Sequence, residues 1–166
     1  MTYSTIRFTL ATLLLLGSAI ALGQDSTSSV LENPELANAR ALLQAGRADI
    51  IREDLRLSDG EAAGFWPVYD KYHEELGVVR DRKAQMIAEF LKAYRAGAID
   101  DKYAEGMIKE HFEIKGDLLK IQKRFLRQFR KVLPELKVAR FYQLESKMDA
   151  ELDAQLALFV PLVEAI

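Results

Sequence analysis

The chain has 166 residues, 49% of them hydrophobic and 29% charged, with four Pro, nine Gly, one Trp and no Cys, a composition that is neither collagen-like nor wholly disordered. The absence of Cys excludes thiolate nucleophiles, Cys-ligated zinc, iron–sulfur clusters and disulfides, so any chemistry would rest on carboxylates, hydroxyls, amines and the two His. A formal net charge of −2 gives no overall pull toward nucleic acid or an anionic membrane.

Residues 1–23 read as a secretory signal peptide. Arg7 is the only charged side chain before Asp25, and it precedes an apolar run, Phe8 to Leu16, that gives way to Gly17, Ser18 and Ala19. Ala21 and Gly23 are small enough for a signal peptidase pocket, so cleavage is expected after Gly23, with Ala21 as the second choice. The run sits at the short end for a membrane span, and no Cys follows that could carry a lipid. The mature protein is therefore expected in the periplasm, with no integral membrane segment. Residues 24–33 are polar and Ser-rich and read as a flexible tether, and residues 34–166 as a single all-helical domain.

Asn33 and Pro34 form a helix start, with Pro at a position where its missing N–H costs nothing. Helix one is expected from Pro34 to about Asp54, with Leu36, Leu43, Ile50 and Ile51 as its apolar contacts. Ser58 followed by Glu61 is a capping box, with Leu57 placed to staple onto the first turns. Helix two then runs to about Ala96. Its apolar residues Phe65, Val68, Tyr72, Leu76, Val79, Met86, Phe90 and Tyr94 recur at mostly three and four positions, and Pro67 should bend it.

Gly97 ends that helix and Asp100 restarts the chain. Helix three, about Asp101 to Leu133, carries Met107, Ile114, Leu118, Ile121, Phe125 and Val132 on one stripe, with Ile108, Phe112, Leu119, Leu126 and Phe129 on an adjoining one. So short a connection forces an antiparallel hairpin whose facing residue numbers sum to about 197. Pro134, in the first turn, opens helix four, which runs to about Phe159 with Leu136, Phe141, Leu144, Met148, Leu152 and Leu156 inward. The apolar tail from Leu156 to Ile166, broken by Pro161, should dock on the hairpin or on a second subunit. The fold class is all-α: a long, bent antiparallel helical hairpin with flanking N- and C-terminal helices, elongated.

Two segments resemble each other without a gap. Leu57, Ser58, Glu61, Ala63, Phe65 and Trp66 align with Leu133, Pro134, Lys137, Ala139, Phe141 and Tyr142, which predicts an internal duplication. The pair resembles a degenerate form of the doubled L-T-x-x-Q signature of the Spy/CpxP family of periplasmic helical proteins. A closer resemblance is to secreted proteobacterial members, through Phe65-Trp66-Pro67-Val68-Tyr69 with Tyr72, and through Leu133-Pro134, Lys137 and the run Ala139 to Glu145 with Lys147. It covers roughly Ile51 to Glu164. It implies a bent hairpin that dimerises into a curved cradle, and an ATP-independent chaperone or a stress or metal sensor. Ser58 and Pro134 stand where the family has Thr, and Glu61 and Lys137 where it has Gln, so the resemblance carries the fold further than the activity.

From Lys115 to Arg140 nine basic residues face two acids, a local charge of +7 within a chain of net −2. Lys120, Lys123, Arg124, Arg127, Arg130 and Lys131 share a broad helix face, readable as a solvated surface complementing the helix dipole or as a surface for protein clients or an envelope partner, with Phe125, Leu126 and Phe129 beside it to touch exposed apolar segments. Nucleic acid would use the same cations, yet export removes that partner. For a metal, Met107, Glu110 and His111 lie on one helix and Asp70 and His73 on another, but the hairpin register keeps the two His apart and no Glu-x-x-His is present; both His read as structural. The strip Phe65, Trp66, Tyr69 and Tyr72 reads as core. No phosphate loop, nucleophile elbow or His-Glu-x-x-His occurs, so no catalytic residue, metal or cofactor is assigned. The expected function is a periplasmic, non-enzymatic, chaperone-like or envelope-stress binding protein, homodimeric; a metal-responsive sensor and a structural envelope protein are the alternatives.

Overall fold

The computed structural model describes residues 34–163, with side chains from residue 45 onward. The expected signal peptide and tether lie outside the described residues. Four helices follow one another, with no strand among the described residues: α1 Pro34–Leu55, α2 Asp59–Arg95, α3 Asp101–Val132 and α4 Glu135–Phe159. Their starts have local causes. The Glu61 N–H donates to the Ser58 hydroxyl at 3.4 Å while the Ser58 N–H donates to the Glu61 carboxylate at 2.8 Å, a closed capping box. The Tyr103 N–H donates to Asp100 at 2.7 Å and starts α3. Pro134 sits one position earlier than expected. It is the extended N-cap of α4, with its carbonyl accepting from the N–H groups of Lys137 and Val138.

α2 and α3 pair as the antiparallel hairpin, turned at Gly97, whose φ of +60° suits a residue without a Cβ. Phe65 meets Phe129 at 5.4 Å, Tyr72 meets Phe125 at 5.4 Å, and Arg82 Nη1 reaches Asp117 at 2.9 Å, the register expected for that turn. At about 1.5 Å per residue the two arms are on the order of 50 Å long. α1 packs on α4, and α4 packs on α3.

The core lies at the open end of the hairpin, where four helices meet. Phe65, Tyr69, Tyr72, Phe125, Phe129 and Phe141 are all fully buried there, with ring centroids 4.5 Å apart at the closest, Phe129 to Phe141. Gly64 allows the close approach: a Cβ there would lie 3.0 Å from the Val132 side chain. Farther along the hairpin part of the expected core is overturned. Ile108, Phe112 and Leu119 are exposed, because no described helix covers that part of the second apolar stripe of α3, whereas Phe129 of the same stripe is buried. On α4, Leu136 is 87% exposed and Leu152 is exposed as well, whereas Val138 and Glu145 are buried. Among the described tail residues, Leu158, Phe159, Leu162 and Val163 are exposed and so are not packed on the hairpin.

Candidate functional site

The two segments that resemble each other meet face to face. Phe65 contacts Phe141 at 5.4 Å, edge to face, Leu133 is buried and Leu57 half-buried against the core, and the two charged replacements find each other: Lys137 Nζ donates to Glu61 Oε2 at 2.6 Å across 76 residues of chain. Lys137 also reaches the Arg56 carbonyl at 3.2 Å. Trp66 and Tyr142, the second aromatics of each segment, are half-buried; Arg52 lies 4.7 Å over the Trp66 ring, and the Tyr142 hydroxyl donates to the Gln122 carbonyl at 2.9 Å. Pro67 is exposed, and α2 continues through it. These residues hold the junction together.

The Lys137 ammonium, then the Ser58 N–H and hydroxyl, hold the Glu61 carboxyl down at about 2. A carboxyl lowered on folding contributes stability that is complete above its ordinary value of about 4.5 and is lost as pH falls toward 2. Glu61→Gln should therefore flatten the acid limb of the melting temperature against pH between those values and leave its shape near pH 7 unchanged; an unaltered acid limb would contradict this assignment.

The same offset of 76 residues relates Tyr69 to Glu145 and His73 to Asp149, and here lies a cluster that sequence reasoning missed. Glu145 and His73 are 97% or more buried. His73 Nε2 lies 3.3 Å from Glu145 Oε1, within ion-pair reach, yet the two are not aligned as a hydrogen bond, and neither these atoms nor the Tyr69 hydroxyl has a hydrogen-bond partner among the described residues. Arg47 from α1 reaches Glu145 at 3.4 Å and Asp149 at 2.7 Å, and Arg80 from α2 reaches Asp149 at 2.9 Å. Arg80 Nη1 also lies 3.5 Å from His73 Nδ1. A guanidinium only donates, so a hydrogen bond here requires the His73 tautomer with no proton on Nδ1. Two guanidinium and two carboxylate groups balance, and the cluster pins α1, α2 and α4 together. Burial, reinforced by Glu145, raises the Tyr69 and Tyr72 hydroxyls above their ordinary value and pushes Tyr142 up to about 12, so all three are neutral at physiological pH.

The expected binding face divides. Lys120, Lys123, Arg124, Arg127, Arg130 and Lys131 are all exposed along α3. Arg124 pairs with Glu75 and Arg130 with Glu135, whereas Lys120, Lys123, Arg127 and Lys131 make no ion pair among the described residues. The apolar neighbours expected beside them are corrected: Phe125 and Phe129 are inside the core, and only Leu126 remains partly open. The exposed apolar residues of α3 are Ile108, Phe112 and Leu119 instead, spaced four and seven apart and so on one face with Leu126.

The two His occupy separate surroundings. His111 is half-buried with its ring 5.6 Å from Phe112, while His73 sits in the junction cluster. Met86, Met107 and Glu110 line a cleft of about 360 Å³ between the hairpin arms, and Glu110 is held there by Arg82 at 2.9 Å. Among the described residues no three His, Asp or Glu are grouped to hold a metal ion, and no helix is long and apolar enough to cross a membrane. Comparison with known protein families, with curated proteins and with solved structures finds no match to this chain.

Proposed function

We propose that this chain is an exported, non-enzymatic binding protein of the Spy/CpxP type, which holds partly unfolded proteins or an envelope partner in the periplasm without ATP. The observation that carries the reading is the second half of α3. Lys120, Lys123, Arg127 and Lys131 are exposed and unpaired among the described residues, on a helix that has no acid after Asp117. Long-range attraction by such a face speeds encounter, and exposed side chains such as Leu119 offer weak apolar contact without a deep pocket that would trap a client.

The same reading assigns a homodimer, in which a second copy covers some of the apolar surface left open on the hairpin and on the α4 tail. Sedimentation should show a dimer at high concentration, and a persistent monomer would remove the cradle arrangement. The binding activity is tested by light scattering from a chemically unfolding client. Stoichiometric protein should suppress aggregation, and suppression should weaken with added salt as the cations are screened. No suppression at a one-to-one ratio would refute the proposal.

A further inference from the structure

Two shallow cavities adjoin, one in the seam between the second half of α3 and the first half of α4 and the other on the neighbouring face of α4 alone. One of about 340 Å³ is floored by Leu126, Ala139 and Tyr142, with Lys123 and Arg130 on its rim; the other, of about 510 Å³, shares Ala139 and Tyr142 and continues to Lys147. The α4 residues involved recur at three and four positions from Glu135 to Lys147, so the groove follows one helix face for about 18 Å. On α3 it continues the exposed apolar stripe, since Leu119 and Leu126 are seven apart. The one acid on the rim, Glu135, is already held by Arg130 at 2.8 Å.

We infer that this groove receives an acidic amphipathic helix of a partner protein. The inference rests on the client-binding reading above and names both the seat and the chemistry of what occupies it. The described residues include no strand edge to which an extended peptide could add hydrogen bonds, so the recognition available is a helix laid into the furrow between two helices. Ala139 is exposed and small enough to let such a helix approach, with Tyr142 and Leu126 on either side as an apolar floor. Lys123, Arg127 and Lys147 are exposed and unpaired among the described residues, so the flanks of the incoming helix must be acidic and its inner face Leu- or Phe-bearing at three- and four-residue spacing.

The test uses the full mature chain and a fluorescently labelled peptide of about twenty residues with that pattern, long enough to span the groove. A scrambled peptide of the same composition and anionic phospholipid vesicles are the comparison ligands. The patterned peptide should bind, and scrambling should weaken it by at least about tenfold. Lys123→Glu with Lys147→Glu should weaken it similarly and reduce its salt dependence, whereas Ala139→Trp, which fills the floor, should weaken it and leave the salt dependence in place. All three positions are exposed, and unchanged thermal melts would show that the variants fold. Equal binding of both peptides, binding of vesicles alone, or indifference to all the substitutions would overturn the groove. The same would follow if Ala139→Trp abolished only self-association. Aggregation suppression that survives any of these outcomes would leave the client-binding reading intact, while its loss in the wild-type chain would refute that reading separately.

Discussion

Glu145→Ala should lower the unfolding free energy by about 3–5 kcal/mol, a large fraction of a domain's stability. The loss exceeds that of an ordinary ion pair because of what stays behind. Arg47 and Arg80 come to this carboxylate from α1 and α2, at 3.4 and 3.9 Å, and His73 faces it from the interior. Without Glu145 two guanidinium groups share Asp149 alone, and His73 Nε2 faces a void. A buried charge left without its partner is what makes such deletions severe, whereas exposed pairs such as Arg52 with Asp49 are worth little. Glu145→Gln, which keeps the volume and one acceptor, should cost less than Glu145→Ala. Urea unfolding of both variants measures the difference. Equal losses would assign the effect to packing, and a loss below about 1 kcal/mol would show that the cluster does not join the helices.

Phe129→Ala should be as damaging, about 3–5 kcal/mol, because it removes a fully buried ring at the centre of the junction. Phe129 contacts Phe65, Tyr72, Phe141 and Tyr142, so its deletion leaves a cavity bounded by three helices. Those neighbours are themselves packed on one another, which limits collapse into the space. Phe112→Ala on the same helix is the contrast: at 66% exposure its loss should change stability by no more than about 0.5 kcal/mol. Paired chemical denaturation decides this. Comparable losses for the two would contradict the placement of the core at the open end of the hairpin.

The helices and their register were legible because they depend on local rules. Capping at Ser58 and Asp100, the stop at Gly97 and apolar recurrence need only neighbouring residues. The likeness of the segments at Leu57 and Leu133 was legible as well, but that Glu61 and Lys137 pair across it is seen only in the structure. Which apolar stripe is covered was not, since periodicity identifies a face but not the number of helices that pack on it. Ile108, Phe112 and Leu119 obey the same spacing as buried positions but lie on a face of α3 that no described helix covers. Phe129, read as part of a binding surface, is core because α4 returns across the open end.

The junction cluster was hidden for a related reason. A Glu or Arg at a core position reads as surface until its partners are known, and Arg47, Arg80 and Glu145 come from three helices. A signal was nevertheless present. Glu145 lies four residues after Phe141 and three before Met148, on the stripe that α4 buries, and the offset that aligns Phe65 with Phe141 also aligns Tyr69 with Glu145. Following the duplication one turn past its aromatic pair locates the cluster.

The central claim, that acidic or partly unfolded proteins are held on the basic second half of α3, is tested most directly by site-specific photo-crosslinking. A photoreactive residue placed singly at Lys120, Lys123 or Arg127, or at the exposed Asp70, Glu74 or Glu151 as comparison sites, is irradiated with an unfolding client, and the adducts are mapped by mass spectrometry. The account predicts adducts concentrated at the α3 positions, diminished by salt and enriched in acidic segments of the client. Equal yields at all six positions, or adducts confined to the comparison sites, would contradict it.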